Sequence, residues 1–132
     1  TQRLLVNHTA QLNLPGCDAP VLVNAGQKGY YRTLYAPAQF KALAARLPTL
    51  PVADPLGVLL DTAALATVGL QPDADLLDLT ASLPADAAPD LWRTVSRTFV
   101  DLDDLFDSAA ADRTAWRAYA LARLAPVFAR YG

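Results

Sequence analysis

Glutamate is missing from this sequence: all 13 acidic residues are aspartate, and methionine is absent too. Histidine and cysteine occur once each, as His8 and Cys17. These gaps exclude chemistry. Without glutamate there is no HExxH zinc site, no glutamate pair for glycoside hydrolysis and no capping box closed by glutamate. One cysteine rules out an internal disulfide framework and a cysteine-rich zinc site, leaving Cys17 as a small side chain compatible with reducing conditions. A Ser-His-Asp arrangement would have to use His8, which sits in LLVNHTAQL between two apolar stretches and reads as part of a hairpin turn.

Other shortages bound the partners. No apolar run approaches the ~18 residues of a membrane span. A net charge of −2 and a pI near 5.1 leave no basic footprint for nucleic acid. What is present is apolar: 53% hydrophobic residues and a mean hydropathy of +0.19 describe a chain that folds rather than a disordered one. Its 132 residues suit one domain or two small pieces. A domain of about this size buries roughly two-thirds of its unfolded surface. The chain opens on Thr1 with no charged-then-apolar leader, and is read as a fragment.

The apolar pattern changes period along the chain. Between Gln2 and Tyr35 it comes in short runs, RLLV, QLNL, VLV and YYRTLY, separated by turn residues, which predicts antiparallel strands. From Pro37 onward, prolines separate five segments of helical period. Asp54-Pro55, Pro72-Asp73 and Pro89-Asp90 mark starts, with aspartates placed to accept first-turn N–H groups and to complement the dipole. Pro48 and Pro84 mark ends, and Gly69 is placed as a left-handed cap. The expectation is an α+β fragment, mainly α. Residues 1–36 would be the terminal strands of a β-sandwich domain, and residues 37–132 a truncated HEAT-like domain of stacked antiparallel helices.

Facing is legible too. Val95, Phe99, Leu102 and Phe106 form a stripe that predicts burial, with Arg93, Arg97, Asp101 and Asp104 opposite. The segment around Leu56 to Val68 is apolar nearly all round, so it should lie centrally, and Asp61 within it would need a helix N-terminus or an arginine as partner. Trp92 and Trp116 sit in apolar stripes and are read as packing residues. Arg113, Arg117, Arg123 and Arg130 are read as forming surface ion pairs or an interdomain contact, with a peptide-carboxylate role for one of them as the alternative.

Three motifs fail. GQKG satisfies neither G-x-G-x-x-G nor G-x-x-x-x-G-K-[ST], so Lys28 is read as the exposed tip of a hairpin. In DLDDLFDSAAAD, Leu105 occupies a calcium-ligand position, Phe106 replaces the obligatory glycine and no closing glutamate exists. Its aspartates are read as a solvated helix face. The sequon Asn7-His8-Thr9 matters only in a secreted chain.

One run is more specific. Asn24, Gly29, Tyr31, Arg32 and Tyr35 in NAGQKGYYRTLY resemble the N-x-x-x-x-G-[YF]-Y-R-V-x-Y signature of the aminopeptidase N and puromycin-sensitive aminopeptidase family of zinc peptidases. Downstream, LLDTAALA is similar to that family's l-l-D-A-x-x-L-A segment, with Asp61 on its aspartate, and LWRTV to its following tryptophan-containing helix. Thr33 departs from the usual valine.

The resemblance implies a parent enzyme that removes N-terminal residues from peptides with zinc held in an earlier domain. It carries over no catalytic, cofactor-binding or metal residue, because the family's HExxH, third-ligand glutamate and G-[AG]-M-E-N loop need residues this chain lacks. The structural motif it implies is Asn24, Gly29, Tyr31, Arg32, Tyr35 and Asp61. Independently of the resemblance, Arg32 stands near the β-to-α junction and is read as an anchor between sandwich and helices, bonded to carbonyls or an aspartate, with a solubility role as the alternative. The expected function is therefore a non-catalytic C-terminal portion that gives interdomain support and part of the lid over the active-site chamber. Zinc belongs to the parent only. Expected partners are the parent's catalytic and remaining helical regions, with peptide substrate met only through the parent, and no nucleic acid or membrane. The cut sandwich should make the isolated chain self-associate. A cytoplasmic location is expected. The alternative is an autonomous α-helical interaction module with no enzymatic parent.

Overall fold

A computed structural model describes residues 11–14, 16, 19–106 and 111–132. Helix α1 spans Pro37–Ala44, followed by a 3₁₀ turn at Leu47–Thr49. Helices α2 (Ala53–Thr67), α3 (Asp73–Ser82), α4 (Pro89–Asp103) and α5 (Ala111–Tyr131) complete the described order.

The proline punctuation sets these boundaries. Proline opens α1 and α4, where its missing N–H has no intrahelical partner to lose. Gly69, at φ 72°, ends α2: its N–H donates to Ala66 O at 2.8 Å and the Leu70 N–H to Leu65 O at 2.9 Å, the paired bonds of a Schellman cap. The starts differ in one respect from the expectation. None of α1 to α4 carries a side-chain hydrogen bond from its N-cap, so the first-turn aspartates Asp54, Asp73, Asp75 and Asp90 complement the dipole without capping from that position. Pro48 does not simply stop α1; the chain tightens into the 3₁₀ turn and thereby buries Leu47.

α2 packs against both α3 and α4, and α4 against α5, which makes α2 central. Two apolar clusters result. Leu59, Leu76, Trp92, Val95, Phe99, Trp116 and Val127 form the larger one. Phe40, Leu43, Leu47, Val58 and Leu79 form the other, with Leu22 and Tyr35 packed onto it from the leading segment. α2 and α3 contribute to both clusters, so the two are joined through one helix pair. The expected stripe is buried at Val95 and Phe99 and half-buried at Leu102 and, beyond the end of α4, at Phe106, while Arg93, Arg97, Asp101 and Asp104 are exposed.

The expected α+β class is overturned: the fold is helical, and no strand occurs among the described residues. QLNL, VLV and YYRTLY are described and are irregular; the RLLV run, Asn7 and His8 lie outside the described residues. The reason lies in the backbone groups. Asn24, Gly26 and Gln27 all have positive φ, so this stretch cannot be a pleated strand end. The N–H groups of Val23, Gly26, Gly29 and Thr33 donate to side chains instead of to a neighbouring strand. Alternation reports which side chains share a side, whereas a strand also needs a partner backbone.

Candidate functional site

Residues 23–35 form a clasp on α2. Its centre is a turn in which the Gln27 N–H donates to Asn24 O at 2.8 Å. Asn24 suits this place twice. Asparagine tolerates its left-handed φ of 60°, and its carboxamide reaches across the turn as a strand would. The Gly29 N–H donates to Asn24 Oδ1 at 2.6 Å and Asn24 Nδ2 donates to Gly29 O at 2.9 Å, so one side chain satisfies both backbone groups. A Cβ at Gly29 would lie 2.2 Å from the Tyr31 ring, so any larger residue there would displace that half-exposed side chain.

Two aspartates of α2 hold the clasp. Asp54, buried in the first turn, accepts the Gly26 N–H at 2.6 Å. Asp61, two turns on, accepts the Thr33 N–H at 3.0 Å and Arg32 Nη1 at 3.2 Å; Nη1 also reaches Leu60 O at 3.4 Å. Between them, at Gly57, a Cβ would fall 1.9 Å from Gln27 Nε2, so the absent side chain is what lets Gln27 lie against the helix. Tyr35 closes the base: the Val23 N–H donates to its hydroxyl at 3.0 Å and that hydroxyl donates to Val23 O at 3.4 Å. Burial is the main reason the Tyr35 phenol ionises above its usual range, against the opposing effect of its Val23 hydrogen bond and with Asp61, Tyr31 and Asp54 adding to the rise.

All six residues of the expected motif, Asn24, Gly29, Tyr31, Arg32, Tyr35 and Asp61, thus meet at the clasp or line it. Lys28 is exposed on a turn rather than at a hairpin tip. Sequence reasoning missed two participants. The Asp54-Pro55 pair signals only a helix start, and Gly57 has no place in the expected motif, although a lone glycine inside a helical pattern signals a close approach. Outside the clasp, an open concavity of about 310 Å³ runs along Gln27, Tyr30, Tyr31, Arg32, Leu60 and Asp61.

Arg113, Arg117 and Arg123 of the last helix are spent on other helices, whereas Arg130 is exposed and lies over the Tyr131 ring at 5.7 Å. Arg113 and Arg117 both donate through Nε and Nη2 to Asp103, at distances of 2.7 to 3.3 Å. Those two guanidinium groups hold the Asp103 carboxyl well below the usual carboxylate range, and Asp103 in turn raises Arg117. Asp103 is therefore not part of a freely solvated face. Arg123 lies over the Trp92 ring, 5.0 Å from its centroid, and donates to the terminal carbonyls of α3, Thr80 O at 2.9 Å and Leu83 O among them. Trp92 itself donates through Nε1 to Pro84 O at 3.2 Å, and Trp116 meets Phe99 edge-to-face at 5.0 Å. Both tryptophans pack helices.

Nothing in the clasp pairs a nucleophile with a base. Among the described residues no three of His, Cys, Asp or Glu come together as a metal site, and no helix is long and apolar enough to cross a membrane. The donor set does not fit zinc: the chain has no glutamate, and its one histidine stands alone in the sequence.

A family model described as ERAP1-like C-terminal domain matches residues 20–132, a stretch that takes in the clasp and every described helix. Aminopeptidase 2 of Candida albicans is 31% identical over 94 residues, covering 70% of this chain and 10% of the relative. The chain thus spans about a tenth of the length of the curated relative it matches. No solved structure matches.

Proposed function

The chain belongs to the ERAP1-like C-terminal domain family, and on that premise we propose that it is a non-catalytic C-terminal portion of a zinc-dependent aminopeptidase. Membership bears out the resemblance read in Asn24 to Tyr35 and in LLDTAALA. The parent would remove N-terminal residues from peptides, with zinc held by residues outside this chain. This portion would supply interdomain support and part of the lid over the active-site chamber.

The observation that carries the reading is the match of residues 20–132 to a C-terminal domain, with the leading segment 20–36 pinned to α2 rather than hanging free. Its partners would be the catalytic and remaining helical regions of the parent, and peptide would be met only through them. We keep residues 37–132 as the helical domain and residues 1–36 as a separate leading segment. Asn24, Gly29, Tyr31, Arg32, Tyr35 and Asp61 would be the structural motif that joins the two. A cytoplasmic location and self-association of the isolated chain belong to the same proposal. No observation favours an autonomous interaction module.

The test is an assay of the purified chain on an amino-acid arylamide with added zinc. The expected result is no turnover above the enzyme-free background; metal-dependent hydrolysis that survives removal of host enzymes overturns the reading.

A further inference from the structure

Residues 20–36 are tied to the helices without being buried in them. No residue of this stretch is buried, and Tyr30, Tyr31, Arg32 and Leu34 are each more than half exposed. Leu22 and Tyr35, near its two ends, pack on the cluster around Phe40, and the Tyr35 hydroxyl bonds both backbone groups of Val23. Between those ends the attachment to α2 is polar. The Gly26 N–H donates to Asp54, the Thr33 N–H to Asp61, and Arg32 Nη1 to Asp61 and Leu60 O.

Three features make this attachment separable. The turn keeps its own bonds: Asn24 holds both backbone groups of Gly29 and accepts the Gln27 N–H on its carbonyl, so the turn does not need α2 for its shape. Its seat on the helix is shallow. Gln27 lies against α2 only where Gly57 has no Cβ, and beside that contact the concavity of about 310 Å³ is lined by Tyr31 from one side and by Leu60 from the other. Thr33 Oγ1 is buried without a partner, and opening returns that hydroxyl to water. Segments with little apolar burial and hydrogen bonds close to solvent are those that open locally while the rest of a fold stays closed.

We propose that residues 24–33 form a strap that swings off α2 as one piece while the helices stay folded, with Asp54 and Asp61 as its two latches and the Leu22 and Tyr35 contacts as its pivots. Opening bares the side of α2 that carries Asp54, Gly57 and Asp61. In the aminopeptidase reading, on which this use rests, the strap makes the joint between the leading segment and the helical domain releasable instead of fixed. The opening itself is a property of this chain and needs no parent.

Native-state hydrogen exchange of the ¹⁵N-labelled chain, followed by NMR at low urea concentrations, tests it. The Gly26 and Thr33 amides, which sit on different latches, should show one common protection factor with little urea dependence, at least about a hundredfold below that of the Val95 and Phe99 amides of α4. Protection at Gly26 and Thr33 equal to that in α4 overturns the proposal, since the segment then opens only with the whole fold. Unequal protection at the two latches overturns it as well, since they then open separately. Gly57→Ala, whose Cβ meets Gln27, should lower both protection factors together by about tenfold and leave Val95 and Phe99 as protected as before. Adding Gln27→Gly clears the overlapping atoms and should restore both. An effect of Gly57→Ala confined to Gly26, or one that Gln27→Gly does not reverse, overturns the strap; where Gly57→Ala does not fold, exchange in the unmodified chain decides alone. These rates report on the strap whatever the arylamide assay returns.

Discussion

Asp54 and Asp61 stand seven residues apart on α2 and accept the N–H groups of Gly26 and Thr33, which are themselves seven residues apart. Seven residues are nearly two helical turns, or about 10 Å along the axis, so both carboxylates point from the same side of α2. The irregular segment is therefore fastened to the helix at two places in matched register. A strand would have used its own backbone for this; here the helix supplies the acceptors.

Removing either fastening should loosen the segment in proportion to burial. Asp54→Ala orphans the Gly26 N–H at a buried site and should cost about 1–3 kcal/mol, the usual effect of an unsatisfied polar group. Asp61→Ala should cost a similar amount through Thr33, with little from Arg32, whose exposed ion pair is worth about 0–1 kcal/mol. Asp61→Asn keeps an acceptor and should cost less than Asp61→Ala. Urea denaturation gives the totals, and faster hydrogen exchange at the Thr33 amide alone gives the local part. Equal losses for Asp61→Asn and Asp61→Ala would rule out the hydrogen bond as the cause.

Thr33 should be improvable. Its Oγ1 is buried without a partner, while its N–H is held by Asp61. Thr33→Val replaces that hydroxyl with a methyl of similar shape and should raise stability by roughly 1 kcal/mol, since the desolvated oxygen no longer has to be hidden. Unchanged or lower stability in urea would mean that Oγ1 is satisfied in solution, by a bound water for instance.

How much of this was legible depended on whether the cause was local. Helix boundaries followed from proline, Gly69 and 3.6-residue periodicity, all of which act within one or two turns, and the five helical segments lie where that periodicity put them. The strands failed because alternation in YYRTLY fixes only relative facing, while Asp54 and Asp61 intercept the backbone groups from 28 residues away. The run Asn24 to Tyr35 was readable as special only as a whole, through its likeness to a family signature, since asparagine and glycine taken singly are ordinary turn residues. Asp54 was not, because a first-turn aspartate looks the same whether it serves its own helix or another segment. Gly57 was the available clue.

The larger apolar cluster should depend on Phe99. It is 3% exposed and meets Trp116 edge-to-face, so Phe99→Ala removes a large buried side chain from between α4 and α5 and should cost ~3–5 kcal/mol. Its neighbour Val100 is 60% exposed, and Val100→Ala should stay within about 0.5 kcal/mol. Thermal unfolding of the pair checks the facing of α4. A loss under about 1 kcal/mol for Phe99→Ala would show the helix turned the wrong way.

Acid should separate α5 from α4 before it unfolds the rest. Arg113 and Arg117 hold the Asp103 carboxyl well below the usual range, so the folded chain binds its proton less readily than the unfolded chain, in which aspartate titrates near ~3.9. Where the unfolded state binds more protons, stability rises with pH. The Asp103 contribution is thus fully present above about pH 5 and is lost progressively as pH falls through the unfolded value toward the depressed one. Asp103→Asn should flatten the acid limb of a stability-against-pH curve and leave its neutral-to-alkaline shape alone. Arg117→Ala should do so less than Asp103→Asn, since Arg113 still holds the carboxylate by two nitrogen atoms. The ion cluster is part exposed, so 1 M salt should flatten the same limb in the parent sequence. Tryptophan fluorescence reads the event, because Trp116 lies on α5 between the two arginines and against Phe99. An acid limb in Asp103→Asn as steep as that of the unmodified chain would place the titrating group elsewhere.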